Sequence, residues 1–177
     1  MTNHRSGVSK CSSFYLLICL ILMHPIAFNI KTSSSELNLV SGLSSLDKKY
    51  MEAQKSLVDE LARSMGQNFN GHVVHDIEIL QRLLDTRKIK NDMTQELQAM
   101  GFVLGDLLAN ELDMHWVIYK DNVGRSRALR YKSSNNFLFP VTMISRRREV
   151  NNLTSVAKIY EKAFNSIAPL RDPLPFQ

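Results

Sequence analysis

At 177 residues, with 44% apolar and 22% charged residues, the chain is long enough for one domain with a real core and short for two. That composition excludes a chain disordered throughout and a multi-span membrane protein. The formal net charge of +5 is unevenly spread: Met114 to Glu149 holds eight basic residues against two acidic ones, a net of +6, whereas residues 31–113 come to −4. Such polarity bears on partners rather than on fold.

In chain order, His4, Arg5 and Lys10 precede an apolar run from Phe14 to Met23, and no acidic residue occurs before Glu36. A positive stretch ahead of about ten apolar residues predicts an export leader over residues 1–30. His24-Pro25 interrupts the run short of the roughly 20 residues a spanning helix needs, which favours a signal peptide; reading on through Ile26, Ala27, Phe28 and Ile30 gives an N-terminal anchor instead. Both cysteines, Cys11 and Cys19, fall in this leader, so a domain starting after Ile30 has neither a disulfide nor a thiolate metal site. Neither cysteine follows a small residue, which argues against lipidation. The expected location is periplasmic, or facing the periplasm from an inner-membrane anchor.

Residues 31–45 are Ser-rich and read as a linker. Beyond it, Leu46, Tyr50, Ala53, Leu57, Leu61 and Met65 recur at three- and four-residue steps and predict an amphipathic helix ending near Gly66. Val73, Ile77, Leu80 and Leu84 predict a second helix, fading at Thr86 to Lys90. Asn91 or Asp92 is placed to cap a third, which carries Met93, Leu97, Met100, Leu104, Leu107, Leu108 and Leu112. Gly101 and Gly105, four apart on that helix, cost about 1 kcal/mol each in propensity, which predicts a close neighbour packed on them.

After Asp113 the period becomes two. Trp116 and Ile118 alternate with His115, Val117 and Tyr119, and Asp121 to Gly124 supplies turn chemistry before Arg125 to Tyr131. Phe137 to Ile144 reads as a third strand with Pro140 at an edge or bulge, because proline cannot donate to the ladder. Val156, Ile159, Tyr160, Ala163, Phe164 and Ile167 return to helical spacing, and residues 169–177 form a proline-rich tail that could itself dock. The expected fold is a single small α+β domain over residues 46–168: helices, a three-stranded antiparallel meander, and a C-terminal helix. The helix bearing the two glycines and the last helix are expected to cover the sheet.

Several short motifs occur in order: Met100-Gly101-Phe102-Val103-Leu104-Gly105, Glu111-Leu112, Trp116-Val117, Asp121, Gly124-Arg125, Ala128 to Tyr131, and Phe139-Pro140 to Arg147. Over about residues 92–168 the chain resembles the bacterial domain-of-unknown-function family 3806. That resemblance implies that Trp116, Asp121, Gly124, Arg125, Tyr131 and Pro140 belong to one structural unit, and it carries over no catalytic residue.

Recognisable catalytic groupings are few. His72, His75 and Asp76 have the step of a helical metal pair but lack a third ligand, so no metal site is expected. No Gly-x-Ser-x-Gly elbow, phosphate loop or dinucleotide fingerprint occurs, and no cofactor is expected. The strongest functional signal is basic: Arg125, Arg127, Arg130, Arg146, Arg147 and Arg148, whose guanidinium forks suit carboxylates and phosphates. Aromatic residues are not interleaved with them, which disfavours nucleic acid. Trp116, Asp121 and Tyr131 are candidate pocket residues.

The expected function is a non-enzymatic envelope binding domain, an accessory subunit of an envelope-spanning assembly such as a secretion system, with a protein partner. Two alternatives remain: an envelope hydrolase of cell-wall or glycan material using Asp121, Arg125 and Tyr131 with Glu111, and binding to an anionic lipid surface.

Overall fold

The computed structural model describes residues 39–171. The expected leader, both cysteines, most of the linker and residues 172–177 of the tail lie outside the described residues.

The elements are β1 (Leu39–Gly42), α1 (Ser45–Arg63), α2 (Val73–Asp85), α3 (Thr94–Leu112), β2 (Met114–Lys120), β3 (Arg125–Tyr131), β4 (Phe137–Leu138), a 3-10 turn (Pro140–Thr142), α4 (Ser145–Glu149), α5 (Val156–Ile167) and a closing 3-10 turn (Ala168–Leu170). The strands form one antiparallel sheet in the order β1-β2-β3-β4. The fold is α+β, as the patterning indicates, with four strands rather than three. The extra one, β1, lies in the stretch read as linker and pairs with β2 from Leu39 opposite Lys120 to Gly42 opposite Val117. Four mostly exposed residues carry no alternation to read, and the partner strand is more than 70 residues away.

Helix α1 begins with a capping box. The Ser44 hydroxyl accepts from the Asp47 amide at 3.1 Å, and the Asp47 carboxylate accepts from the Ser44 amide at 3.2 Å. Its buried line is Asp47, Met51, Gln54, Val58 and Ala62, one position round from the stripe the apolar spacing picks out. Leu46 is 77% exposed and Tyr50 40%, while Leu57, Leu61 and Met65 flank the core. The helix is turned so that a carboxylate, rather than Leu46, meets the sheet.

Helix α3 is the central element, with eleven buried residues that leave little of its circumference polar. Its N-cap is Met93, without a side-chain cap bond, so neither Asn91 nor Asp92 performs that role. At its end Asp113 takes a left-handed conformation, φ 53°, and turns the chain directly into β2. The glycine face is closely packed. A Cβ on Gly101 would lie 2.6 Å from Pro140 O and Val141 Cα, and one on Gly105 would overlap the Trp116 ring, lying 2.6 Å from Cη2 and nearer still to Cζ2.

That packing explains the main departure in the sheet. Only Phe137 and Leu138 pair with β3 before Pro140, which has no amide to donate, opens the 3-10 turn whose backbone lies on Gly101. The apolar residues to Ile144 thus serve packing on α3 instead of a strand, and Arg146, Arg147 and Arg148 lie in helix α4 rather than after a strand. Helix α5, capped by the Ser155 hydroxyl, packs chiefly on α2 and α3, so α3 is the main cover of the sheet. The largest fully buried side chains include Phe102, Leu104, Leu108 and Leu112 of α3, Leu80 and Leu83 of α2, Leu129 of β3 and Ile144; each stabilises by about 1.5–3 kcal/mol.

Candidate functional site

Alternation along β3 places Arg125, Arg127, Leu129 and Tyr131 on one face. Leu129 and Tyr131 enter the core, whereas the two arginines, at the hairpin end of the strand, reach the first turn of α1. There the buried Asp47 carboxylate accepts from Arg125 Nη2 at 2.9 Å on Oδ1 and 2.7 Å on Oδ2, and from Arg127 Nη2 at 2.9 Å on Oδ1. The Ser44 hydroxyl donates to the same carboxylate at 2.6 Å. These donors, Arg125 foremost and Ser44 next, outweigh burial and hold the Asp47 carboxyl well below the usual carboxylate range. The Arg127 guanidinium also lies over the Tyr50 ring, 4.3 Å from its centroid. Tyr50 meets Phe102 edge-on, and Phe102 meets Trp116 at 5.7 Å.

Beside this cluster opens a cleft of about 630 Å³. One wall is the β2-β3 hairpin end with Asp121, Arg125 and Arg127. The other is Phe139, Val141, Thr142 and Arg146, and Gln98 reaches in from α3. The second wall depends on the glycine face of α3, because Gly101 lets the Pro140–Thr142 turn approach. The arginines are not saturated: Asp47 engages only Nη2 of each, and the exposed Arg146 side chain makes no hydrogen bond or ion pair among the described residues.

A second cavity, about 400 Å³, lies between α1 and α3 and is lined by Glu52, Lys55, Asp59, Asp76, Val103 and Asp106 among others. Lys55 bonds Asp106 and Glu52, each at 2.8 Å, and the Trp116 indole donates to Asp106 at 2.8 Å. Burial opposes the charge on Lys55, but the bonds to Asp106 and Glu52 raise its pKa above the ordinary value. Trp116 is therefore a packing and anchoring residue between Gly105, Phe102 and Asp106. Trp116→Phe keeps the ring contact and loses one charge-assisted bond, so urea unfolding should show a loss of about 1–2 kcal/mol.

The structure divides the basic residues that stand together in sequence. Arg125, Arg127 and Arg146 share the cleft. Arg130 closes the next loop, donating to the carbonyls of Ser133 and Ser134, and lies near the Phe137 ring. Arg147 donates to the Met143 carbonyl, and Arg148 is buried.

The other candidates also separate. Asp121 lines the cleft, but its Oδ1 accepts from the Val123 and Gly124 amides at 2.9 Å each. Tyr131 is buried at the opposite end of β3, about 20 Å of extended chain from Arg125. Glu111 lies near the far end of α3, where burial first and the Glu111 charge second push the Tyr160 hydroxyl up to about 12. His75 Nδ1 is 3.0 Å from Asp76 Oδ1, and the Asp76 carboxylate accepts from the Asn70 and Gly71 amides, which ties down the loop before α2.

Sequence reasoning missed Asp47, Tyr50, Gln98 and Thr142. Ser44 followed by Asp47 is a capping-box spacing, which could have marked the helix start. Nothing in it shows that the carboxylate also receives arginines 78 and 80 positions later.

Among solved structures, the fold is similar to that of a protein from Bacteroides thetaiotaomicron VPI-5482, with a TM-score of 0.66 at 18% identity, over 73% of this chain and 48% of that one. The chain thus spans about half the length of that protein, and the likeness is one of fold. No curated protein gives a significant match. The profile of the family described as Domain of unknown function (DUF3806) matches residues 76–160, from the first turn of α2 into α5, and takes in the glycine helix, the hairpin, the proline turn and all three cleft arginines. The resemblance carried by those motifs is confirmed, with its start moved back into α2: residues 76–160 of this chain match the DUF3806 family model.

Proposed function

We propose that the chain is a non-catalytic binding domain of the bacterial cell envelope, an accessory subunit of an envelope assembly such as a secretion system, which docks an acidic partner protein at the arginine-lined cleft. The cleft carries this reading: three guanidiniums converge on a concave surface, and the carboxylates there, Asp47 and Asp121, do not balance them. The envelope location rests on the basic-then-apolar composition of residues 1–30. The residues named for hydrolysis favour binding over catalysis, because Tyr131 is in the core and Glu111 is remote from Asp121 and Arg125.

The test is affinity purification of the tagged chain from gently solubilised envelopes, with mass spectrometry of its partners and of its own N-terminus. A stoichiometric partner should co-purify with the wild type and be lost with Arg146→Glu. Arg146 is the residue to change, since Arg147 is committed to the Met143 carbonyl and Arg148 is buried. A clean monomer with no partner would overturn the reading.

A further inference from the structure

We infer that the group the cleft accepts is the carboxylate of a partner's acidic side chain, held between Arg125 and Arg146, with an adjoining apolar side chain resting on Phe139 and Val141. This deepens the docking reading and rests on it.

The donors are available and of the right kind. Arg125 spends only Nη2 on Asp47, its side chain is 47% exposed, and its Nε and Nη1 have no acceptor among the described residues. Arg146 stands on the opposite wall of the same cleft, exposed and without an acceptor. Two guanidinium edges facing a cleft suit a planar anion that can accept from both.

Charge selects among such anions. Arg125, Arg127 and Arg146 against Asp47 and Asp121 leave one net positive charge at the cleft, which one carboxylate neutralises. A dianionic phosphate would overshoot and would also meet the two resident carboxylates.

The apolar part of the cleft selects the neighbour. Phe139 is 37% exposed although aromatic, and Val141 is partly exposed beside it. A cleft of about 630 Å³ accommodates two adjacent side chains of a partner segment.

The probes are blocked dipeptides titrated into the full chain in mild detergent, followed by calorimetry and by the arginine side-chain NMR signals. Acetyl-Glu-Phe-amide should bind in the millimolar range, and acetyl-Gln-Phe-amide about tenfold more weakly, the factor that one charge-assisted hydrogen bond supplies. Acetyl-Glu-Gly-amide should fall between them. Arg146→Gln should cut Glu-Phe binding about tenfold, whereas Arg82→Gln, on exposed α2 surface, should leave it unchanged. Equal binding of the Gln and Glu dipeptides, tighter binding of inorganic phosphate than of Glu-Phe, or no binding at all would overturn the inference. Dipeptide binding without any envelope partner would support the carboxylate site and remove the docking reading. A partner lost with Arg146→Glu, but no dipeptide binding, would do the reverse.

Discussion

Asp47→Asn is expected to destabilise the domain by about 2–3 kcal/mol, lowering the midpoint of thermal unfolding by roughly 10 °C. The isosteric amide keeps the shape of the site and removes the charge facing Arg125 and Arg127. Two guanidiniums are then left side by side, with Arg127 Nε already buried without an acceptor. Removing one partner of a fully buried pair costs about 3–5 kcal/mol; the half-exposed Arg125 side chain reduces that here. Added salt should recover part of the loss by screening the arginines from each other.

The effect has a defined pH dependence. The folded Asp47 carboxyl has a depressed pKa, so its contribution is fully present above the ordinary carboxylate value of about 4 and is lost as pH falls from there through the folded value. The stability gap between wild type and Asp47→Asn should therefore be constant from pH 7 to about 5 and shrink below about 4. A gap unchanged down to pH 2 would show that the charge of Asp47 is not what holds the arginines.

Gly101→Ala is expected to cost about 2 kcal/mol, although alanine is the better helix former. The added Cβ would lie 2.6 Å from Pro140 O, Val141 Cα and Val141 O, all backbone atoms that no rotamer change can move aside. Overpacking of this kind costs about 1–3 kcal/mol or somewhat more, against a gain of about 1 kcal/mol in helix propensity. Relief would require the Pro140–Thr142 turn to move away from α3, carrying Val141, Thr142 and the Arg146 wall with it. Partner capture should fall together with stability. A stabilised Gly101→Ala variant would disprove the contact, and urea unfolding is sufficient to decide.

Much of the fold was legible because its signals are local. The helices around Val73 to Leu84, Met93 to Leu112 and Val156 to Ile167 announce themselves by apolar spacing, and the β2-β3 hairpin by alternation around Asp121 to Gly124. The costly glycines at 101 and 105 correctly pointed to close packing. The candidate site was legible in part: Arg125, Arg127 and Arg146 stood out as basic residues, but nothing in their spacing separated them from Arg130, Arg147 and Arg148, which the fold assigns to internal bonds or burial.

The sequence by itself determined the three long core helices, the β2-β3 hairpin with its turn at Asp121 to Gly124, and the family resemblance that the match over residues 76–160 bears out, since propensity, period and motif are properties of neighbouring residues. Only the tertiary structure decided which way α1 turns, that Pro140 starts a 3-10 turn rather than continuing a strand, that residues 39–42 join the sheet, and which arginines line the cleft. Each of those outcomes depends on a partner far along the chain: the arginines of β3 for Asp47, Gly101 for the proline turn, and β2 for β1. Hydrophobic spacing records that a face is buried, but not what it is buried against. The buried line of α1 runs through Asp47, Met51, Val58 and Ala62, so Leu46 stays exposed while the Asp47 carboxylate meets two arginines, a pairing that no apolar pattern records.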